Sequence, residues 1–418
     1  MPESVALMLG DIKMTPVLAV SIPLFPLLIF GCRLKWCWPD LLVIAVFTSF
    51  FISTLRSVPL DRTLEHMGRL VLVSVVPYLA GRFIAADLAR MKRFLSLLVT
   101  LLATMAGLSV LESVLRINVH SIFWRVPYDP HHEKRLGLTR AYGWTSHAIM
   151  FGLVNAVFIS VILVSAKEKL AIFGRWQWFK FFAVSAGCFL SLSTGAWGPA
   201  ALAVSFVAWD YFAPFKSNKL WPVTFAVLII GYFVLEYASG RPLLRILMMK
   251  MHLTSPDAWY YRWRLFERVY AVMPGNWWLG HGKATPEAFN GFQGSIDNNF
   301  LVVLLRYGRI GLILWCAVPI AIIMYAGKAV WARRPSKLVR VARAMCFALI
   351  GILLTQFSVA LFSTANNLYW MMMGLIIGVT FLCRAEQTRI AMDHQMRKRK
   401  HDPRRRQQKP LTQAPYRS

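Results

Sequence analysis

Residues 295–324 read SIDNNFLVVLLRYGRIGLILWCAVPIAIIM, a short polar start followed by a long apolar run. An apolar run of this length is expected to cross the hydrocarbon core of a membrane as a helix. The chain therefore passes from water into lipid near Asp297, and ionisable groups at such a border are functional candidates. Asp297 and Asn298 are also residue types that cap helices well, so a purely structural role is the alternative.

Hydrophobic residues make up 57% of the 418 residues and charged residues only 16%, with a mean hydropathy of +0.50. Apolar runs recur with loops between them, as membrane-spanning helices require, whereas strands of a membrane barrel would show short alternating segments. The sequence predicts an all-α fold, a polytopic inner-membrane helical bundle of about 11 helices (roughly 10–12) with a large external loop. The spans are predicted at residues 15–31, 40–55, 69–86, 94–114, 147–165, 179–194, 196–213, 220–238, 300–327, 342–362 and 368–383.

The net charge of +28 comes largely from the tail and the connections between spans. If the spans alternate, the short connections rich in lysine and arginine fall on one side, which the positive-inside rule assigns to the cytoplasm. Residues 1–383 then form the transmembrane domain, and residues 384–418 a basic, disordered cytoplasmic tail resting on anionic lipid. No Phe, Tyr or Trp lies among the charges of residues 397–406, which disfavours nucleic acid as a partner.

Two longer loops, residues 115–146 and 239–299, are left on the external side, and both are basic and aromatic. The second contains Trp259-Tyr260-Tyr261-Arg262-Trp263-Arg264, in which rings and guanidinium groups alternate closely. Guanidinium groups suit phosphate geometry and aromatic faces stack on sugars, so the loops favour a ligand that carries both. A belt of Trp and Tyr at the membrane interface is the structural alternative.

The sequence contains no cysteine and histidine spacing typical of zinc and no glycine-rich phosphate loop. His131-His132-Glu133 could contact a metal, but adjacent loop histidines are more often solvated surface. The six cysteines mostly lie in apolar runs, which leaves no framework of loop disulfides. We therefore expect neither a bound metal nor a cofactor.

Motifs late in the chain follow a fixed order. An arginine-containing segment at Arg262 precedes the turn at residues 274–282, PGNWWLGHG. Asp297 and Asn298 come next, and after nine further residues the pattern Gly-x-x-Gly follows at Gly308 and Gly311.

Two earlier segments complete the set: residues 140–147, RAYGWTSH, with Gly152 beyond them, and residues 191–197, SLSTGAW. In this order, over roughly residues 135–325, the motifs resemble those of the bacterial O-antigen ligase and polysaccharide polymerase (Wzy-like) superfamily. Thr194 stands where many members have arginine, and Asp297 where ligases typically have histidine. The second departure favours the exopolysaccharide polymerase branch over a lipid A-core ligase.

The resemblance implies transfer of a glycan from undecaprenyl pyrophosphate to a sugar hydroxyl of a second lipid-linked glycan, at the outer face of the inner membrane. It implies lipid-linked glycans and membrane lipids as partners, together with other polysaccharide assembly and export proteins. Such a transfer needs cationic stabilisation of the departing pyrophosphate and a base within reach of the attacking hydroxyl.

Each candidate side chain has a structural alternative. As base we favour Asp297, with His281 and His147 as alternatives because imidazole titrates near working pH. For the cationic role we favour Arg262, because Glu267 lies three residues after Arg264 and could pair with it. Any of these arginines could instead extend to lipid headgroups. We assign Asp297, Arg262 and His281 to catalysis, and Arg140, His147, Arg264 and Asn298 to substrate binding.

Other classes fit the sequence less well. A transporter would show inverted repeats and charges near the membrane midplane, and the sequence shows no convincing repeat. A flippase for lipid-linked glycans would need cationic residues along a path across the bilayer, whereas these concentrate in the external loops. A purely structural membrane protein leaves the two arginine-rich loops without a purpose. Transfer to lipid A-core or another acceptor remains the alternative within the superfamily.

Overall fold

The computed structural model describes residues 7–9, 12–14, 16–31, 34–117, 134–145, 147–212, 230, 234, 257–283, 296, 298–331, 336–357 and 359–401. Two short hairpins accompany the helices, β1 (Leu7–Leu9) with β2 (Ile12–Met14), and β3 (Lys134–Arg135) with β4 (Leu138–Thr139). The helices are α1 (Pro16–Pro26) continued by a π-helical turn (Leu27–Gly31), α2 (Trp38–Leu55), α3 (Leu60–Ile84), α4 (Leu88–Leu115), α5 (Ala148–Lys167), α6 (Gln177–Leu190), α7 (Thr194–Phe212), α8 (Asp257–Val272), α9 (Asn299–Val330), α10 (Lys337–Thr355) and α11 (Ser363–His401).

Seven of the described helices are long and apolar enough to cross a membrane, namely α2, α3, α4, α5, α9, α10 and α11. The described residues form helices and almost no sheet, and several of the helices are such spans. This confirms the predicted all-α polytopic membrane fold. A turn at residues 191–193 separates α6 from α7, a few residues before the break that the sequence predicts at residue 195. The predicted span at 220–238 lies outside the described residues, apart from two isolated positions.

The helices alternate in direction and so define two ends of the bundle. The loop end carries the connections α2–α3, α4–α5, α6–α7 and α10–α11 and the start of α9. The tail end carries the connections α3–α4, α5–α6 and α9–α10 and the final part of α11. Both segments that the sequence predicts to be functional therefore emerge at the loop end.

Helices α3 and α11 approach so closely that only glycine fits at the contact. A Cβ atom added to Gly374 would lie 2.0 Å from the Tyr78 carbonyl oxygen, and one added to Gly81 would lie 2.3 Å from that of Met371. Small residues at helix interfaces allow this backbone contact, which replaces the hydrophobic effect as a source of association in lipid.

A buried ion pair at the tail end joins α2 to α3. Asp40 Oδ1 accepts hydrogen bonds from the Tyr78 hydroxyl at 2.6 Å and from Arg82 Nη1 at 2.5 Å. Its other oxygen accepts the Cys37 N–H at 2.7 Å, which caps the start of α2. The Asp40 and Arg82 side chains are 2% and 3% exposed, so each charge depends on the other.

We expect Asp40→Ala to destabilise the protein by about 3–5 kcal/mol, because Arg82 would keep a buried charge without its partner. The measurement is thermal unfolding of the purified protein in detergent. Arg62→Met is the matched control, since its ion pair with Glu65 is 66% and 34% exposed and should contribute at most about 1 kcal/mol. Equal unfolding temperatures for the two variants would contradict this role for Asp40.

The tail differs from the sequence prediction. Residues 384–401 continue α11 as helix rather than forming a structureless segment. Arg384 donates to the hydroxyl and the carbonyl of Tyr325, both at 2.9 Å, and Gln387 Nε2 donates to the Ala329 carbonyl at 2.9 Å. The segment is rich in Ala, Glu, Gln, Arg, Met and Lys, which favour helix, and it has no Gly or Pro to end it. Residues 402–418 lie outside the described residues.

Candidate active site

Asn298 is buried at the loop end and caps α9. Its side-chain oxygen accepts the Leu301 N–H at 3.1 Å, and its side-chain nitrogen donates to the Phe357 carbonyl at 2.9 Å. The side chain is 2% exposed. The capping role that the sequence left open is therefore observed for Asn298, whereas substrate binding by its amide stays a prediction.

The neighbouring Asn299 fixes the α10–α11 connection against the start of α9. Its side-chain nitrogen donates to Gln356 Oε1 at 2.7 Å, and its side-chain oxygen accepts the Leu361 N–H at 3.1 Å. Trp315 Nε1 donates to the same Gln356 oxygen at 2.8 Å. Sequence analysis missed Gln356 because a lone glutamine after an apolar run carries no motif.

His147 occupies the N-cap of α5. Its Nδ1 accepts the Ile149 N–H at 3.3 Å, so a proton on the neutral ring resides on Nε2. The ring lies 6.1 Å from the Tyr142 ring and 6.5 Å from the Phe362 ring, measured between centroids. Because Phe362 belongs to the connection that Asn299 holds, this connection joins the surroundings of His147 to those of Asn298.

The Arg140 segment is tied to the α6–α7 turn by three hydrogen bonds: Arg135 Nη1 to the Leu192 carbonyl at 3.0 Å, Arg140 Nε to the Ser191 carbonyl at 3.2 Å, and the Ala141 N–H to the Leu190 carbonyl at 2.9 Å. Two motifs fifty residues apart are thereby placed side by side. The Arg140 side chain is only 5% exposed, so part of its guanidinium serves the structure of the loop.

Glu112, near the end of α4, holds the next part of the same segment. Its Oε2 accepts the N–H groups of Tyr142 and Gly143, at 3.0 and 2.9 Å. The Glu112 side chain is 1% exposed. The two hydrogen bonds of the Glu112 carboxylate therefore hold the loop that carries Arg140 against the end of α4.

Helix α8 packs along the first turns of α9. Leu265 and Val269 of α8 form one apolar cluster with Leu301 and Leu304 of α9, and Ile296 packs against it. Arg264 lies on the exposed side of α8. The Arg262 side chain and the whole of Asp297 lie outside the described residues, so the distance between them stays untested.

Helix α9 is broken at Gly308, whose backbone is not helical (φ 65°, ψ −167°). In an unbroken helix, the carbonyls of residues 305 and 306 would accept the N–H groups of residues 309 and 310. Here residues 276–283, which we call the clasp, pair with these four groups instead. The bonds run from His281 N to Leu305 O at 2.8 Å, from Gly282 N to Arg306 O at 2.7 Å, from Arg309 N to Trp277 O at 2.7 Å, and from Ile310 N to Trp278 O at 3.2 Å.

Glycine is required on both sides of this contact. A Cβ atom at Gly308 would lie 2.3 Å from the Trp278 carbonyl oxygen, and one at Gly280 would lie 2.5 Å from the Arg306 carbonyl. Gly311 has a different structural role. The absence of a side chain there leaves room for the Phe50 ring to stack on the Tyr307 ring, with ring centroids 3.6 Å apart. The two late motifs are thus the two halves of one structural contact.

His281 lies in the clasp, and its ring has a structural bond. Nε2 donates to the Val272 carbonyl at 2.9 Å, which satisfies a carbonyl at the end of α8. Only Nδ1 then remains as a base. Beside it, the Arg309 guanidinium lies 4.6 Å from the centroid of the Trp277 ring, a cation–π contact.

The structure therefore places the described candidates Arg140, His147, His281 and Asn298 at one end of a polytopic helical bundle, where each of them bonds a backbone group. Among the described residues, no group of three or more His, Cys, Asp or Glu side chains could hold a metal ion. The fold and this arrangement define a membrane protein with a basic, aromatic site at one face.

Residues 179–316 match the family model of the O-antigen ligase. The match covers about a third of the chain, from α6 through the clasp to the middle of α9. It confirms the resemblance to the O-antigen ligase and polysaccharide polymerase superfamily, and it supports a glycan-transfer function in the membrane. No curated protein matches the chain.

Proposed function

We propose that the chain is a polymerase that joins undecaprenyl-pyrophosphate-linked oligosaccharide repeat units into an exopolysaccharide at the outer face of the bacterial inner membrane. The observation that carries the proposal is that both neighbours of Asp297 contact segments implicated in the transfer. Ile296 packs on α8, the helix of Arg262, and Asn298 bonds the connection that packs beside His147.

In the proposed reaction, the Asp297 carboxylate takes the proton of the acceptor hydroxyl as its oxygen bonds to the anomeric carbon. The bond from that carbon to the donor pyrophosphate breaks, and lipid pyrophosphate leaves with the electron pair. Helix α8, which contains residue 262, packs on α9 through Leu265 and Val269. We therefore assign stabilisation of the negative charge on the departing pyrophosphate to Arg262, with Arg140 and Arg264 as secondary cations. Asn298 and His147 are placed near the substrate.

The loop end is assigned to the outside, and the tail end, with the C-terminal part of α11, to the cytoplasm. Support comes from the basic residues at the helix ends that flank the short connections of the tail end, among them Arg90, Lys92, Lys167 and Lys337.

The buried charges of the described residues argue against a flippase or transporter. Asp40, Arg82, Lys180 and Arg343 lie at the tail end, and Glu112 and Arg140 at the loop end. A translocation path would need such groups through the middle of the bundle. Transfer to lipid A-core or another acceptor is the second candidate, since the matching family is described as O-antigen ligase.

The test is an analysis of lipid-linked glycans in a strain lacking the gene. Single repeat units accumulating on the outer face support the polymerase. Full-length polymer retained on the carrier indicates the ligase, and repeat units trapped inside indicate a flippase. Purified protein in liposomes should convert lipid-linked repeat units into a ladder of longer chains, and an unchanged substrate there would contradict the proposal.

A further inference from the structure

A second group of basic residues surrounds His66 of α3, outside the site described above. The charges that act on its imidazole are those of Arg306, Lys283 and Arg69, together with one carboxylate, Glu65. Its Nε2 lies 3.4 Å from the Tyr307 hydroxyl, beside which the Arg306 guanidinium also lies. Three cations from three separate segments of the chain thus lie close enough to act on one half-buried ring.

The clasp brings these segments together. The Lys283 N–H donates to Ser57 Oγ at 2.9 Å in the α2–α3 connection, and the preceding Gly282 bonds the Arg306 carbonyl. A Cβ atom at Gly282 would lie 2.2 Å from Ser57 Oγ, so the loop sits directly on this connection. The positions of Lys283 and Arg306 next to α3 therefore follow from the backbone contact at the helix break.

The positive charge is not balanced within the described part of the chain. Glu65 pairs with Arg69 at 2.8 Å and with Arg62 at 3.5 Å, so it already serves two arginines. No carboxylate among the described residues forms an ion pair with Lys283 or Arg306. Like charges held together repel unless an anion joins them, and here the backbone holds them together.

Both side chains are exposed, and Arg306 emerges from α9 about two turns after its start. A long basic side chain this close to the end of a membrane-spanning helix can extend to the border of the membrane, where lipid phosphates lie. A single arginine there would contact lipid headgroups without forming a defined binding site. Here the clasp holds the backbones of Lys283 and Arg306 beside α3, which carries Arg69, so three cations are brought near one another.

We propose that Arg306, Lys283 and Arg69 bind the phosphate group of a membrane lipid. The identity of that lipid as the pyrophosphate-linked glycan carrier rests on the proposed function, whereas the phosphate site does not. Arg306 and Lys283 supply the charges that no described carboxylate pairs with, and Arg69 adds its charge while it holds Glu65.

The test measures lipid binding to full-length protein by native mass spectrometry, with undecaprenyl pyrophosphate and phosphatidylglycerol added in separate titrations. Arg306→Gln and Lys283→Gln should each weaken binding about tenfold, because each removes one charge-assisted hydrogen bond. Lys337→Gln, an exposed lysine at the start of α10 at the tail end, is the matched control and should bind as the unaltered protein does.

Weakened binding of undecaprenyl pyrophosphate alone supports a carrier site, and equal weakening of both lipids supports a general phospholipid site. Unchanged binding of both lipids to folded variants would overturn the proposal. Unfolding temperatures without added lipid separate lost binding from lost structure, and Lys283→Gln keeps the backbone bond to Ser57 if Arg306→Gln proves unstable. Because binding is read without glycan transfer, an inactive polymerase that still binds lipid would contradict only the proposed function.

Discussion

Gly308→Ala is expected to disrupt the loop end and abolish glycan transfer. The backbone of Gly308 adopts φ 65° and ψ −167°, a conformation that is essentially restricted to glycine. A Cβ atom would also lie 2.3 Å from the Trp278 carbonyl oxygen, which cannot move without losing its bond to α9. The strain alone costs about 1–3 kcal/mol, and separation of the clasp would add the loss of four backbone hydrogen bonds.

The measurement is thermal unfolding together with limited proteolysis of the clasp, alongside transfer activity. Gly107→Ala in α4 is the matched control, because a Cβ atom there meets nothing within 4 Å. In a helix interior this control should be neutral or stabilising by about 0.5–1 kcal/mol. A Gly308→Ala protein with unaltered unfolding and activity would show that the clasp is not needed.

Asp297→Asn and Arg262→Ala are each expected to abolish polymer formation while the protein still accumulates in the membrane. Removal of a general base typically costs about 10²–10⁴-fold in rate. Loss of a cation aimed at the departing pyrophosphate costs a similar amount, about 10²–10³-fold by analogy with oxyanion-hole donors. Chain-length analysis of the polymer, beside quantification of the membrane protein, provides the measurement.

Two controls separate catalysis from a general effect of lost charge. Arg389→Ala removes an exposed arginine from α11 at the tail end, and Lys398→Ala with Lys400→Ala removes charge near the end of the same helix. These variants should leave chain length nearly unchanged. Normal polymer from Asp297→Asn or Arg262→Ala would remove that residue from the mechanism.

The membrane fold could be predicted because the length and hydropathy of each apolar segment decide whether that segment crosses the membrane. The turn between α6 and α7 was also predictable from its small and hydroxyl residues at 191–195. The continuation of α11 to His401 was not, because a high density of charge indicates a solvated segment unless its partners are known. Those partners are the Tyr325 and Ala329 backbone carbonyls, which carry no sequence signal.

The candidate site was predictable as a set of loops but not as a set of contacts. The turn around His281 and the glycine pair at 308 and 311 stood out in the sequence as separate motifs. Nothing in their spacing indicates that one completes the hydrogen bonds of the other. Likewise, Asn298 and His147 looked like binding residues, while the structure shows each of them capping a helix.

The sequence by itself determined that this is a polytopic helical membrane protein with basic, aromatic loops, because burial in lipid depends on the local run of apolar residues. Only the tertiary structure decided that α9 breaks at Gly308 and that the clasp fills the break. It also decided that Arg306, Lys283 and Arg69 meet around His66. These features depend on backbone groups far apart in the chain, whose hydrogen bonds are the same for every residue type and so leave little trace in the sequence.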